Sequence, residues 1–358
     1  MIRALFGPPK VTFPCPYCLH SIRLAASEHN CTNSDCKAEI PPPYRADVAV
    51  APPFFVPLIG FSQVGKTTYL QALTAVLLKM STLWPDFSAI AGTEATMRFQ
   101  QEVRAAEAQG RLPEPTPLGV DEIYLPILKH VPRWSGRTLV LRDYAGENFE
   151  QFDFEARSNR GLPPQQLQLL VQARVMFLMI SLPKLKSDAL GNPGDGASEE
   201  NQGPIRSMDE LLQSYVTTLL KLNVDLKQGR RTAIVILSQG DAIDDLPEHL
   251  DNYLQSDPVQ TAIHRPSSSG LDAQALAVYM EIMERVSTEL QRWIEQKPGG
   301  RQLTTIGRDR NIDFKFTVVS STGAKPVRKG TVGQPLRPHR VLDPLFWALD
   351  LSSKVTPT

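Results

Sequence analysis

The stretch from Leu58 to Leu70, LIGFSQVGKTTYL, constrains this chain more than any other. Gly60 and Gly65 bracket four residues, and Lys66 and Thr67 follow directly. An apolar, β-prone run, Phe54 to Gly60, leads in, and helix-spaced apolar residues run on from Thr67 to Met80. Strand, glycine-rich turn and helix together aim backbone N–H groups and a helix dipole at an anion. A lysine at this point reaches the β- and γ-phosphates of a nucleotide, and the hydroxyl after it ligates Mg2+. Gly60, Ser62, Gln63, Val64, Gly65, Lys66, Thr67 and Thr68 are therefore the candidate phosphate-binding residues. The competing explanation is a chance glycine-rich turn, which the flanking strand and helix patterns argue against.

The rest of the chain repeats the alternation. Asp121–Lys129, Arg137–Gly146, Arg174–Leu182, Arg231–Asp241 and Phe314–Gly323 read as strands, and Glu94–Gly110, Ser207–Asn223 and Asp272–Gln296 as helices. This pattern predicts an α/β fold with a mostly parallel sheet covered on both faces, with ligands at the carboxyl ends of its strands. Residues 1–47 separate as a cysteine-bearing unit, and residues 48–358 hold the phosphate loop. Between them Glu39–Pro53, EIPPPYRADVAVAPP, reads as a stiff proline-rich linker that blocks helix. Leu190–Pro204 reads as a mobile loop (near 190–206), and Gly323–Arg340 as a basic loop broken by Gly and Pro.

Three strand ends carry further candidates. Asp143 closes an apolar strand and Gly146 follows three residues on. A carboxylate there suits Mg2+, and a glycine lets a backbone N–H approach a γ-phosphate. Asp241 follows the strand TAIVIL, and a fixed carboxylate accepts from guanine N1–H and N2–H2 together, a donor pair adenine lacks. In VVSSTG, backbone N–H groups around Ser321 are placed to donate to guanine O6.

Gly60–Thr67, Asp143–Gly146, Ser238–Asp241 and Ser320–Thr322 stand in the order expected of a GTPase, and the chain resembles the translation-factor and Ras-like (TRAFAC) class. With the four-cysteine segment and the tail RVLDPLFWAL, it is similar to the predicted bacterial double-GTPase family. That resemblance implies GTP and GDP as ligands, Mg2+ held by Thr67, Thr116 and Asp143, and hydrolysis of GTP to GDP and phosphate. It also implies a switch in which Lys66, Thr116 and Gly146 engage the γ-phosphate. A second GTPase or effector would be its partner in a bacterial conflict or defence system. Two departures qualify it. Ser238-Gln239-Gly240-Asp241 stands where Asn-Lys-x-Asp is usual, so guanine is held by Gln239 and Asp241 with looser specificity. Glu147 replaces a water-orienting Gln and repels the γ-phosphate, which predicts slow turnover without a partner. An ATPase and a non-hydrolysing, nucleotide-bound adaptor stay open as alternatives. Arg111, Arg133, Arg137 and Arg142 read as solvated or ion-paired rather than as an arginine finger.

The chain's four cysteines, Cys15, Cys18, Cys31 and Cys36, form two close pairs twelve residues apart. Two such knuckles supply a tetrahedral Zn2+ shell. Few apolar residues surround them, so zinc binding is expected to fold this ribbon by itself. His20 and His29 are spare ligands that the site does not need.

Lys+Arg and Asp+Glu are equal at 38 each, so no global charge draws the chain to nucleic acid. The basic residues Lys325, Arg328, Lys329, Arg337, His339 and Arg340 leave polyanion contact as an option, beside a solvated loop or a cover for the nucleotide. No apolar run is long enough to span a bilayer, and Met1–Lys10 lacks the pattern of a secretory signal, so a cytoplasmic protein is expected.

Overall fold

A computed structural model of the chain describes residues 12–23, 29–61, 64–112, 122–143, 173–183, 209, 212–213, 216, 230–242, 246–264, 271–297, 299–324, 332 and 335–351. Two short strands, β1 (Thr12–Pro14) and β2 (Ser21–Arg23), pair antiparallel next to the cysteines. Helix α1 (Pro42–Asp47) leads to the main sheet, which begins with β3 (Pro53–Ile59) and runs straight into α2 (Lys66–Leu77). Then come β4 (Ser88–Ala91), α3 (Glu94–Gln109), β5 (Glu122–Tyr124), β6 (Pro126–Val131) and β7 (Trp134–Asp143). The remaining strands are β8 (Val175–Ser181), β9 (Arg231–Ser238) and β10 (Ile312–Val318).

Among the described residues the sheet has eight strands, in the order β10-β9-β8-β3-β7-β6-β4, with β5 also pairing β7. The β10/β9, β9/β8, β8/β3 and β3/β7 pairs are parallel, whereas β7/β6, β7/β5 and β6/β4 are antiparallel. The sheet is therefore mixed rather than parallel throughout. β3 lies between β7 and β8, so the order runs outward from it in both directions. Such a reversal opens a crevice at the carboxyl ends of the strands, and the loop after β3 lies there.

The expected single strand Asp121–Lys129 is divided in two. Pro126 brings no N–H, and the Leu125 N–H instead donates to Thr96 Oγ1 on α3 at 3.0 Å. Both pieces keep one register against β7, with Tyr124 opposite Leu141 and Ile127 opposite Thr138. α3 is capped by Thr93, whose side chain accepts from the Thr96 N–H, and it closes on Gly110 in the left-handed region at φ 60°. Thr93 and Thr96 are thus occupied as cap and strand anchor.

The sheet's two faces sort by side-chain alternation. Val56, Leu58, Leu139, Leu141 and Phe177 pack with Tyr69, Leu73 and Val76 of α2. Full burial of each such side chain contributes about 2 kcal/mol. The apolar residues of α6 (Ala273–Glu295) recur at Leu276, Tyr279, Met280, Met283, Val286, Leu290 and Ile294, a helical stripe. Asp272 caps this helix by accepting from the Ala275 N–H at 2.8 Å. Ser287 Oγ accepts the Phe316 N–H at 2.9 Å, so α6 takes up a donor of edge strand β10. α4 (Glu248–Gln255), α5 (Pro258–His264) and α7 (Gly300–Asp309) were not anticipated by apolar spacing.

The proline-rich linker is corrected. Pro42 and Pro43 fall in the first turn of α1, where a missing N–H is tolerated. Tyr44 is fully buried and donates to Pro14 O at 2.6 Å. Nor does the cysteine unit lack a core. Phe13, Ile22, Ile40, Tyr44 and Val48 join Cys15, Cys18 and Cys31 in one cluster with Leu125, Ile127 and Val140 of the main sheet. The unit therefore sits on the sheet face opposite α2.

The carboxyl-terminal segment folds over the sheet's end as α8 (Asp343–Ala348). Asp343, fully buried, accepts from Tyr279 OH at 2.6 Å, from Thr317 Oγ1 at 3.1 Å and from Tyr253 OH. Burial pushes its carboxyl up to about 6, with Arg340 opposing the rise. Arg340, also buried, donates to Tyr253 O and Ser256 O and lies over the Tyr253 ring at 3.8 Å. Arg340 is therefore a structural cation and not part of a polyanion-binding surface. Lys325, Arg328 and Lys329 lie outside the described residues, as do residues 190–206, and of 207–223 only residues 209, 212, 213 and 216 are described, all helical. No described helix is long and apolar enough to cross a membrane.

Candidate functional site

The turn after β3 is built by close approach. A Cβ on Gly60 would lie 2.9 Å from Val64 Cγ2 and 3.0 Å from Met179 O, so only glycine lets the loop close against β8. Gly65 sits at φ 86° as the N-cap of α2, a conformation natural to glycine. Lys66, 7% exposed, folds back so that Nζ donates to Gly60 O at 2.8 Å and Phe61 O at 3.0 Å. A bound phosphate would give this ammonium charged acceptors in place of neutral carbonyls, a stronger bond. Thr67 and Thr68 are half-buried on the first turn of α2, and Ser62 and Gln63 lie outside the described residues.

Asp143 ends β7 in register with Leu58 of β3, two residues before Gly60. Its backbone thus reaches the loop's edge. Thr116, Gly146 and Glu147 lie outside the described residues. Arg142, 3% exposed, donates to Tyr17 O in the first cysteine knuckle, Arg133 pairs with Asp350, and Arg137 stacks on Trp134 at 3.6 Å. Arg111 offers its carbonyl to Gln71 Nε2.

A cavity of ≈ 250 Å³ opens beside the loop, lined by Gly65, Thr68, Leu112, Ser238, Gln239, Asp241, Ala242, Ser321 and Thr322. Its walls come from distant parts of the sequence, held by specific bonds. Ser238 Oγ donates to Val64 O at 2.6 Å and ties the end of β9 to the loop after β3. Gln239, in the left-handed region at φ 60°, has its Oε1 fixed by Ser181 Oγ at 2.7 Å. Ser320 Oγ donates to Asp241 Oδ1 at 2.7 Å, and Thr322 Oγ1 to Oδ2 at 2.6 Å. Ser320 Oγ also accepts the Gly323 N–H at 2.8 Å. A carboxylate has about four lone-pair sites, so each Asp241 oxygen keeps one for a ligand.

Sequence reasoning missed Ser181, Leu112 and the buttressing hydroxyl of Thr322. Thr322 stands in SSTG at a strand end, where a hydroxyl signals local bonding, but its partner Asp241 lies eighty-one residues away. Ser320 and His339 form an isolated bridge, with His339 N donating to Ser320 O at 2.7 Å, so the carboxyl-terminal segment braces this loop.

The second site is the cysteine cluster. The four Sγ atoms lie within 4.8 Å of one another, with Cys18–Cys31 at 3.6 Å and Cys15–Cys36 at 4.0 Å. A tetrahedron with Zn–S of about 2.3 Å has S···S edges of about 3.8 Å, so these residues fit the metal. Leu19 and Lys37, each just past the second cysteine of a pair, adopt positive φ of 62° and 48° and turn the knuckles. Burial raises the Cys15 thiol far above its usual range and pushes Cys31 up to about 11. A bound cation reverses that order and holds thiolates. His29 bonds Arg45 and His20 is exposed, so neither joins the cluster.

No protein-family model and no curated protein sequence matches the chain. Among solved structures it is similar to the signal recognition particle receptor SRb-GTP/SRX complex from Chaetomium thermophilum, at 13% identity and a TM-score of 0.34. The match covers 76% of this chain and 93% of that one. At that score the likeness carries no weight for function, and the residues of the two sites must carry it instead.

Proposed function

We propose that the protein binds guanine nucleotides with Mg2+ and hydrolyses GTP slowly, as a switch. One observation carries the reading: the cavity has the phosphate loop at one wall and the Asp241 carboxylate, buttressed on both oxygens, at another. A fixed acceptor pair selects the N1–H and N2–H2 donors of guanine. The Lys66 ammonium and the first turn of α2 take the phosphates.

Thr67 and Asp143 are the residues to hold Mg2+, which would screen the phosphate charge and orient the terminal phosphoryl group. Thr116 and Gly146 complete the γ-phosphate contacts, and Glu147 slows water attack. Release of γ-phosphate would remove those contacts, and the switch would turn on their loss. Pairing with a second GTPase in a bacterial conflict system is the biological setting proposed for that switch.

Fluorescent N-methylanthraniloyl-GDP tests the reading. Wild-type protein is expected to bind it in Mg2+, and Lys66→Ala to lose most of that binding with an unchanged circular dichroism spectrum. Equal binding by both proteins would remove the phosphate loop from the site. Single-turnover hydrolysis of GTP should be slow for the protein alone, and fast turnover would refute the role given to Glu147.

A further inference from the structure

The cysteine cluster and the phosphate loop are joined through named residues. Cys15-Pro16-Tyr17-Cys18 is the first knuckle, and the Tyr17 carbonyl accepts from the Arg142 guanidinium. Arg142 is 3% exposed and directly precedes Asp143, which ends β7 beside Leu58. Leu19, one residue past Cys18, is 3% exposed and shares a cluster with Ile59, Leu178, Ile180 and Leu182. Ile59 is the residue before Gly60. The knuckle's own bonds, Cys15 N to His20 O and Leu19 N to Cys15 O, both at 2.9 Å, hold Tyr17 and Leu19 in place. The cysteine segment is thus bonded to the end of β7 through Arg142 and shares an apolar cluster with the end of β3 through Leu19.

We propose that the four-cysteine centre is a positioning element of the nucleotide site. Metal on Cys15, Cys18, Cys31 and Cys36 keeps the Tyr17 carbonyl on Arg142 and Leu19 in the apolar cluster that holds Ile59, so that metal occupancy and nucleotide binding are coupled. Without metal, the four thiols have no common ligand, the positive-φ turn at Leu19 loses its restraint, and both attachments loosen. The β7 end and the loop's entry strand then lose a fixed support. Loss of the metal by chelation would in this way lower nucleotide affinity. Arg142 and Leu19 act through the backbone of their neighbours and do not touch the ligand. This coupling rests on the cavity being a nucleotide site.

Coupling is reciprocal: if zinc strengthens nucleotide binding, nucleotide strengthens zinc binding by the same factor. The full-length zinc-loaded protein is titrated with a chromophoric chelator, with and without Mg2+ and N-methylanthraniloyl-GppNHp. Bound nucleotide is read by fluorescence in the same samples. Zinc affinity is expected to rise by about 5-fold or more with nucleotide bound, the lower end of ordinary allosteric couplings. In Arg142→Met, zinc still binds and the difference falls below about twofold. Nucleotide bound in wild type with zinc affinity unchanged would overturn the coupling and leave the nucleotide site standing. Absence of any nucleotide signal would overturn both. A purely structural zinc unit predicts the unchanged result.

Discussion

Replacing Asp241 by Asn changes the proposed base-reading group by one atom and leaves the apolar core untouched. The surrounding bonds dictate which way the amide turns. Ser320 Oγ accepts from the Gly323 N–H, so its proton is committed to the side of Oδ1. Thr322 Oγ1 also lies 2.9 Å from Ala324 O, so its proton has another acceptor and its lone pair can receive an amide N–H. The Asn oxygen therefore faces Ser320 and its NH2 faces Thr322. The cavity then offers one acceptor and one donor where it had two acceptors. Guanine loses one charge-assisted hydrogen bond and meets a donor, a cost of about 3 kcal/mol. That is about 150-fold in affinity. Xanthine, with a carbonyl at position 2, recovers the bond. Competition against N-methylanthraniloyl-GDP reads both effects, with XDP expected to overtake GDP on the Asn variant. GDP affinity close to that of wild type, with no gain for XDP, would refute the role given to Asp241.

Two further outcomes concern buried polar groups. Ser238→Ala leaves Val64 O without its 2.6 Å donor, and about 2 kcal/mol of stability is expected to go, read by urea unfolding, together with weaker nucleotide binding. Asp343 has a folded carboxyl pKa of about 6 against 3.8 for the free group. Its neutral form is favoured in the fold, so the stabilisation is complete below the free value and is lost as pH rises through the folded one. The loss is about 3 kcal/mol. Unfolding curves at about pH 4 and about pH 7 should show that slope in wild type and not in Asp343→Asn; equal slopes would contradict it.

Local chemistry made the strand, loop and helix at Gly60–Thr67 legible in the sequence, because glycine placement and apolar period act over a few residues. The same holds for α3, ended by Gly110, and α6, begun by Asp272. The division of β5 from β6 was not legible, since it depends on Thr96 reaching Leu125 from another element. Prolines in Glu39–Pro53 looked like helix breakers but fall in the first turn of α1, which is permitted. The four cysteines announced a cluster able to hold a metal, whereas its seat on Leu125, Ile127 and Val140 arises only when the sheet forms. At the cavity, Asp241 was legible as a candidate polar group at the end of β9, and it lines the wall. The Thr322 hydroxyl that fixes it was not, because nothing local ties residues so distant in the chain.

Guanine in this cavity is what the proposed switch depends on. Equilibrium displacement of N-methylanthraniloyl-GDP from the wild-type protein by unlabelled GTP and ATP, in Mg2+, tests it most directly. Two hydrogen bonds to a buttressed carboxylate predict that GTP displaces the label at roughly a hundredfold lower concentration than ATP. Displacement by ATP at the same concentration as GTP would contradict the claim.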